Sequence, residues 1–267
     1  MSNFATRMMI NAVGIPAILF LIHLGGLPFV IFIVIVSVIG QIEFYLLARR
    51  KGNKPIFLTA IISGVIWIIA SFYLSEYLFY LLILIAIMFI IIGLFRHVSG
   101  SITDISSTIL GFIYIPVFLS TIILLRKLYN EDDGKLVTLL FVSIWICDSL
   151  AFVFGKWLGK RKIAPKISPN KSIAGCIAGL FGSLMTVVIF YYLGWTPKLL
   201  SFTQLIVLGL IIGIFGQVGD FVESIFKRDA EVKDSSSFLL GHGGVLDRFD
   251  AFFIASPLVY LYIFLIL

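Results

Sequence analysis

Charge is what this chain has least of. Asp, Glu, Lys and Arg make up 13% of its 267 residues, against 60% hydrophobic residues, and the mean hydropathy is +1.12. That shortage excludes a water-soluble globule, because apolar runs of about 20 residues recur along the whole length. No polar stretch is long enough for a separate soluble domain. Cysteine is scarce too: Cys147 and Cys176 lie in or beside apolar runs without CxxC spacing, which reads as packed thiols and not as a disulfide or a zinc site. The first residues, Met1 to Thr6, lack the basic start of a signal peptide, and a second apolar run follows at once, so the first run is read as a helix. Internal repeats and low-complexity linkers are also missing.

What is present is hydrocarbon in continuous, non-alternating runs. Only helices and closed barrels satisfy their backbone in lipid, and continuous runs select helices. The expectation is an all-α, polytopic transmembrane bundle. About nine spans fall near residues 8 to 24, 27 to 48, 56 to 74, 77 to 95, 105 to 125, 136 to 155, 173 to 194, 202 to 226 and 249 to 267. With the N-terminus cytoplasmic, all but four of the 20 Lys and Arg fall on the cytoplasmic side, the exceptions being Arg126, Lys127, Lys135 and Lys198. The positive-inside rule therefore favours N-in and C-out, which turns both long polar loops to the cytoplasm. The net charge of +6 is mostly this bias, attractive to anionic head groups; nucleic acid is not an expected partner.

Polarity divides the chain. Residues 1–135 carry few polar groups within their spans, with His23, Glu43 and Asp104 near span ends in structural settings. Residues 136–267 hold most of the intramembrane acids and both long loops, so chemistry is expected there, within one integrated membrane unit. Asp220 and Glu223 stand three residues apart near the end of the eighth span, on one helical face, with Lys227 a turn further on. Asp247 and Asp250 repeat that spacing at the start of the ninth, with Arg248 between them. Two such pairs facing each other would make an oxygen-rich cage suited to magnesium, which shares its shell with substrate phosphates.

Between the pairs lies Gly241-His242-Gly243-Gly244. Alone it is as well read as a turn; bracketed by carboxylates and by Lys227, Arg228 and Lys233, it suits a phosphate ligand. In the sixth span, Asp148 lies inside an apolar run, where an ionised group costs about 2.5–3.5 kcal/mol at the bilayer centre. It is either a polar tie between helices or functional. The segment Ser168-Pro169-Asn170-Lys171-Ser172 precedes the seventh span, where a helix N-terminus favours anions; an ordinary basic loop reads equally well.

Together these residues carry a resemblance. Ser224-x-x-Lys227-Arg228, Lys233-Asp234 and His242-Gly243-Gly244-x-x-Asp247-Arg248-x-Asp250 are similar to the signature of phosphatidate cytidylyltransferases, also called CDP-diacylglycerol synthases. Asp148 with Ala151, Gly155 and Gly159, then Ser168-Pro169, Lys171-Ser172 and Gly175, resemble a second block of that family. Leu240 and Ala174 depart from the pattern, standing where Pro or Gly and a glutamate are usual.

The resemblance implies transfer of a cytidylyl group from CTP to phosphatidic acid, giving CDP-diacylglycerol and pyrophosphate. It implies Asp220 and Asp247 as principal Mg2+ ligands, with Glu223 and Asp250 supporting. Lys227, Arg228, Lys233 and Arg248 would hold triphosphate or lipid phosphate. Ser168, Lys171 and Ser172 would contact nucleotide or phosphatidate, and Ser224, Asp148, Gly243 and Gly244 belong to the same binding surface. His242 would organise the loop or donate to phosphate. The resemblance also allows a second cation, K+ or Mg2+, and suggests a homodimer in the plasma membrane. Alternatives are a CTP-dependent polyprenol or phytol kinase, a CDP-archaeol synthase and, from another class, an ion-coupled transporter. The last fits less well, because these acids gather at one side and not at midplane.

Overall fold

A computed structural model describes residues 3–96, 98–128, 133–236 and 243–266, with side chains from Val13 onward. Its helices are α1 (Asn3–Leu24), α2 (Gly26–Arg50), α3 (Phe57–Tyr73), α4 (Leu78–Leu94), α5 (Ser101–Phe112), α6 (Phe118–Leu128), α7 (Lys135–Leu158), α8 (Ile173–Tyr192), α9 (Phe202–Asp229) and α10 (Leu246–Ile266). A π-helical turn, Ile113–Val117, joins α5 to α6, so that Ser101–Leu128 is one continuous apolar helix. Pro116 lies inside that turn; proline has no N–H to give the α-helical ladder, and the wider turn absorbs the loss. Each of the nine expected spans thus corresponds to a helix among the described residues. Seven are long and apolar enough to cross a membrane, and Val13–Leu24 and Phe57–Tyr73 are shorter apolar helices. The protein is a multi-pass, all-α membrane protein. Its strands are β1 (Lys162–Ala164) and β2 (Ser168–Ser172), a short antiparallel hairpin where the sequence predicts a basic loop.

Packing groups the chain into two compact units. The first comprises Met1–Lys127 with Phe226–Phe249, and the second Leu128–Ile225 with Asp250–Leu267.

In the first unit, buried polar side chains tie neighbouring helices where lipid offers no alternative partner. Gln41 Nε2 donates to the Ala60 carbonyl at 3.2 Å, Tyr45 OH to the Thr108 carbonyl at 3.0 Å and Trp67 Nε1 to Ser120 Oγ at 2.9 Å. Aromatic rings fill the space between. Phe226 meets both Phe44 and Tyr114 edge-on with centroids 5.4 Å apart, the geometry that sets a ring's positive edge against a negative face.

The two ends of this unit are marked by cations. At one end Arg126 Nε donates to the Ile22 carbonyl and Lys127 Nζ to the Phe72 carbonyl and Ser75 Oγ, which gathers the C-termini of α1, α3 and α6. Helix C-termini leave carbonyls unsatisfied and carry partial negative charge, so this is where cations are favoured. At the other end Lys51 pairs with Asp229 at 3.2 Å, the Lys54 amide donates to Asp104 Oδ1, and Arg96 donates to the Lys54 carbonyl. That gathers the end of α2, the start of α5, the segment after α4 and the end of α9. Alternation of ends is what antiparallel spanning requires.

In the second unit, α7 and α8 lie against each other through glycines. A Cβ on Gly175 would come 2.7 Å from the Ala151 carbonyl oxygen, and one on Gly179 2.9 Å from that of Cys147. Small residues let the two backbones approach, and in lipid that close packing replaces the hydrophobic drive between helices. Cys147 and Cys176 are both free thiols. Ser183 Oγ donates to the Gly209 carbonyl at 2.9 Å, tying α8 to α9, and Phe141 and Phe252 pack with centroids 4.2 Å apart, joining α7 to α10.

Candidate active site

In the second unit the site is built around Asp220. The residue sits nine positions before the end of α9, and its Oδ2 pairs with Lys171 Nζ at 2.5 Å. Lys171 also lies over the Phe221 ring, 4.1 Å from its centroid, a position in which the ring quadrupole attracts the ammonium. Ion pair and ring together hold the lysine in one orientation.

The backbone that delivers Lys171 is fixed one residue later. Ser172 caps α8: its Oγ accepts from the Gly175 amide at 3.2 Å and donates to the Gly155 carbonyl at 3.4 Å, and it is buried. Serine is favoured at this position because it satisfies an orphan amide of the first turn. Gly159 makes room for it, since a Cβ there would collide with Ser172 Oγ. The glycines of the 155–175 block therefore serve the approach of α7, β2 and α8. Ser168 opens β2, half-buried and opposite Ala164.

Asp148 from α7 and Asp250 from α10 lie within electrostatic reach of Asp220 and of Lys171. Asp250 is brought in by a close crossing of α9 and α10: a Cβ on Gly219 would lie 2.9 Å from Ala251 Cα and collide with the Asp250 carbonyl oxygen. Ser224 Oγ lies 3.5 Å from Asp220 Oδ1. Glu223 is fully buried on the same helix. Three carboxyl groups in the field of one lysine would carry excess negative charge if all ionised, which a hard cation would offset.

The first unit holds the other acid–lysine pair. Lys227 Nζ donates to Asp247 Oδ1 at 2.5 Å, and both side chains are only 13% exposed. Asp247 Oδ2 accepts from the Gly244 amide at 2.7 Å, the Ser235 hydroxyl at 2.7 Å and the Ser235 amide at 3.1 Å. Gly243 has φ +78°, and a Cβ there would come 2.7 Å from Asp247 Oδ2, so glycine is required both by the left-handed backbone and by the carboxylate that turns back over it. Arg228 donates to the Val232 carbonyl at 3.2 Å, and Lys233 and Arg248 are exposed. His242 lies outside the described residues.

One participant reads from sequence only as a structural residue near a span end. Glu43 of α2 is 2% exposed, and Ser236 Oγ, the Val245 amide and the Leu246 amide all donate to it. A single acid inside an apolar run is the available signal, but nothing in the sequence says that its partners lie about 200 residues away.

Among the described residues, no three His, Cys, Asp or Glu side chains form a ready-made metal shell. The donor set nonetheless suits magnesium, which keeps several waters and takes one or two carboxylates together with substrate phosphates.

The chain is thus a many-spanning helical protein with an acid–lysine pair in each unit, that of the first beside a glycine turn. A model of the cytidylyltransferase family matches residues 5–266, and the chain belongs to that family. It is 33% identical over 292 aligned positions to the phosphatidate cytidylyltransferase of Synechocystis sp., covering 98% of this chain and 97% of that one. To the phosphatidate cytidylyltransferase of Bacillus subtilis it is 32% identical, with 97% of each chain covered. The protein of that name from Staphylococcus haemolyticus is 43% identical over 49% of each chain.

Proposed function

We propose that this protein is a phosphatidate cytidylyltransferase, which transfers the cytidylyl group of CTP to phosphatidic acid to form CDP-diacylglycerol and pyrophosphate. Near-full-length likeness to relatives of that name supports it. The observation that carries it in the structure is the Lys171–Asp220 ion pair in the field of Asp148 and Asp250, a cation and acids drawn from β2, α7, α9 and α10.

A phosphate oxygen of phosphatidate attacks the α-phosphorus of CTP, an O–P bond forms, and the bond to the β-phosphate oxygen breaks. Pyrophosphate leaves with that electron pair. The nucleophile is already anionic near neutral pH, so no protein base is needed, and no His/Asp dyad is called for. What the protein supplies is alignment and neutralisation of charge. Lys171 and Lys227, with Arg228, Lys233 and Arg248, are the residues assigned to phosphate oxygens. Ser168 and Ser224 are assigned as hydroxyl donors, Ser172 sets the backbone that carries Lys171, and the Gly243 and Gly244 turn offers its backbone. His242 is assigned to the same turn.

Asp220 and Asp247 are assigned to Mg2+, with Glu223 and Asp250 in support; bound there, the ion would neutralise charge on the triphosphate as pyrophosphate departs. A second cation, K+ or Mg2+, belongs to the same assignment. The cytoplasmic face of the plasma membrane is the side on which CTP is found and to which the positive-inside count turns both polar loops. A homodimer is proposed with it.

The test is an assay of purified protein in detergent or liposomes with CTP labelled at the α-phosphate, phosphatidic acid and Mg2+. Chelator-sensitive label in the lipid phase with equimolar pyrophosphate is the expected result. Release of CDP with a lipid alcohol, and no label in lipid, would instead assign a kinase.

A further inference from the structure

We propose that Glu43 is a positioning residue of this site, a carboxylate supplied by the core helix α2 that sets the turn carrying Asp247 and Lys227's partner surface; the inference rests on the transferase reading above. Glu43 joins the chain on both sides of residues 237–242. From the α9 side, Ser236 Oγ donates to Glu43 Oε1 at 2.5 Å and Ser235 Oγ lies 3.2 Å from Oε2. From the α10 side, the Val245 amide donates to Oε1 at 3.1 Å and the Leu246 amide to Oε2 at 2.7 Å. Each carboxylate oxygen thus faces one group from each side, and the side chain acts as a two-pronged clamp.

Ser235 links this clamp to the site. Its hydroxyl has a single proton, and the shorter distance, 2.7 Å to Asp247 Oδ2 against 3.2 Å to Glu43 Oε2, assigns that proton to Asp247. Ser236, Val245 and Leu246 remain as donors committed to Glu43. Asp247 follows Leu246 directly, so the group that fixes the Leu246 amide also fixes where the Asp247 carboxylate starts. Two acids sharing one serine repel each other, and the positive end of α10, whose first amides point at Glu43, offsets that repulsion. Gly244 fits the same account: a Cβ there would collide with both Ser235 Oγ and Glu43 Oε2, so the carboxylate rests against bare backbone.

An ordinary helix cap comes from the residue beside the helix. This one comes from a different helix, buried, and spans two segments, which makes it a means of holding the Asp247 turn against the core. Glutamine at position 43 keeps the size but presents an NH2 to at least one donor; aspartate keeps the charge but shortens the reach.

The experiment compares wild type with Glu43→Gln, Glu43→Asp and Glu43→Ala, using two readouts. The first is amide hydrogen exchange. Faster exchange confined to peptides covering 233–250, with α2 and α3 unchanged, is expected for Glu43→Gln and Glu43→Ala. The second is steady-state CTP turnover with phosphatidate. Glu43→Gln is expected to lower kcat by about 10–100-fold, the scale for losing a group that orients a ligating side chain, while Tm stays near wild type and Glu43→Asp regains part of the rate. Unchanged exchange at 233–250, or a rate within about twofold of wild type, overturns the inference. So does a rate loss accompanied by faster exchange throughout α2, α3 and α5, which would report general loosening. If wild type itself makes no CDP-lipid, the proposed function fails while the exchange comparison still decides whether Glu43 holds the turn.

Discussion

Asp220 is where the proposed chemistry is most exposed to a single substitution. Its carboxylate holds Lys171 and acts electrostatically on both Asp148 and Asp250. Asp220→Asn keeps the shape and removes the charge, so CTP turnover should fall by about 10²–10³-fold, the scale for deleting one preorganised charge-stabilising group, with the protein still monodisperse in detergent. Asp247→Asn should do the same through Lys227. A variant that turns over near the wild-type rate would remove that residue from the metal assignment. Gly244→Ala is a different kind of lesion: the added methyl meets Ser235 Oγ and Glu43 Oε2. Overpacking of that order costs about 1–3 kcal/mol, and here it should appear as lost activity before lost fold, because the methyl meets the two side chains that hold the Asp247 turn.

At the scale of elements, what could be read from sequence was the apolar length rule. It located a helix at each expected span, with α1 beginning earlier, at Asn3, and with α5 and α6 read as one, because a span has to be about 20 residues long and backbone groups in lipid have no partner but their own helix. The π turn at Ile113–Val117 was not legible, since Pro116 in an apolar run is equally compatible with a kink. Nor was the β1–β2 hairpin, where Lys162 Nζ donates to the Asn170 carbonyl and the strands are too short for any alternating pattern. Asp220, Asp247 and Lys171 stood out because charge is scarce. Glu43 reads only as a structural acid, because its donors Ser236, Val245 and Leu246 include two backbone amides that leave no mark on sequence. The glycines of α7 and α8 were noted as part of a motif, and their physical role is the helix contact. Gly179→Leu should therefore lower thermal stability, by about 1–3 kcal/mol, since a side chain there would meet the Cys147 carbonyl and sulfur. A denaturation curve matching wild type would show that α7 and α8 can part without cost.

At the scale of the whole molecule, the cations bear on which way the chain crosses the membrane. The count of cations favours a cytoplasmic N-terminus, and the first unit shows the alternation of ends that antiparallel spanning requires. Arg126 and Lys127, two of the four cations on the minority side, are engaged with the helix ends of α1 and α3 and with Ser75, whereas Lys51, Lys54 and Arg96 gather at the opposite end. The minority cations thus have a structural reason to lie against the electrostatic bias: each neutralises carbonyls at a helix C-terminus, an interaction of about 0.3–1 kcal/mol that does not depend on the leaflet. Single cysteines placed on exposed positions in a background with Cys147 and Cys176 replaced should then report sides in pairs. Lys51→Cys and Lys166→Cys should react with an impermeant maleimide only from the cytoplasmic side, in inverted vesicles. Glu76→Cys and Leu199→Cys should react only from the outside, in intact cells. If Lys51 and Glu76 label from the same side, α3 does not cross; if the whole pattern is reversed, the positive-inside reading fails, and with it the access of CTP from the cytoplasm on which the proposed reaction depends.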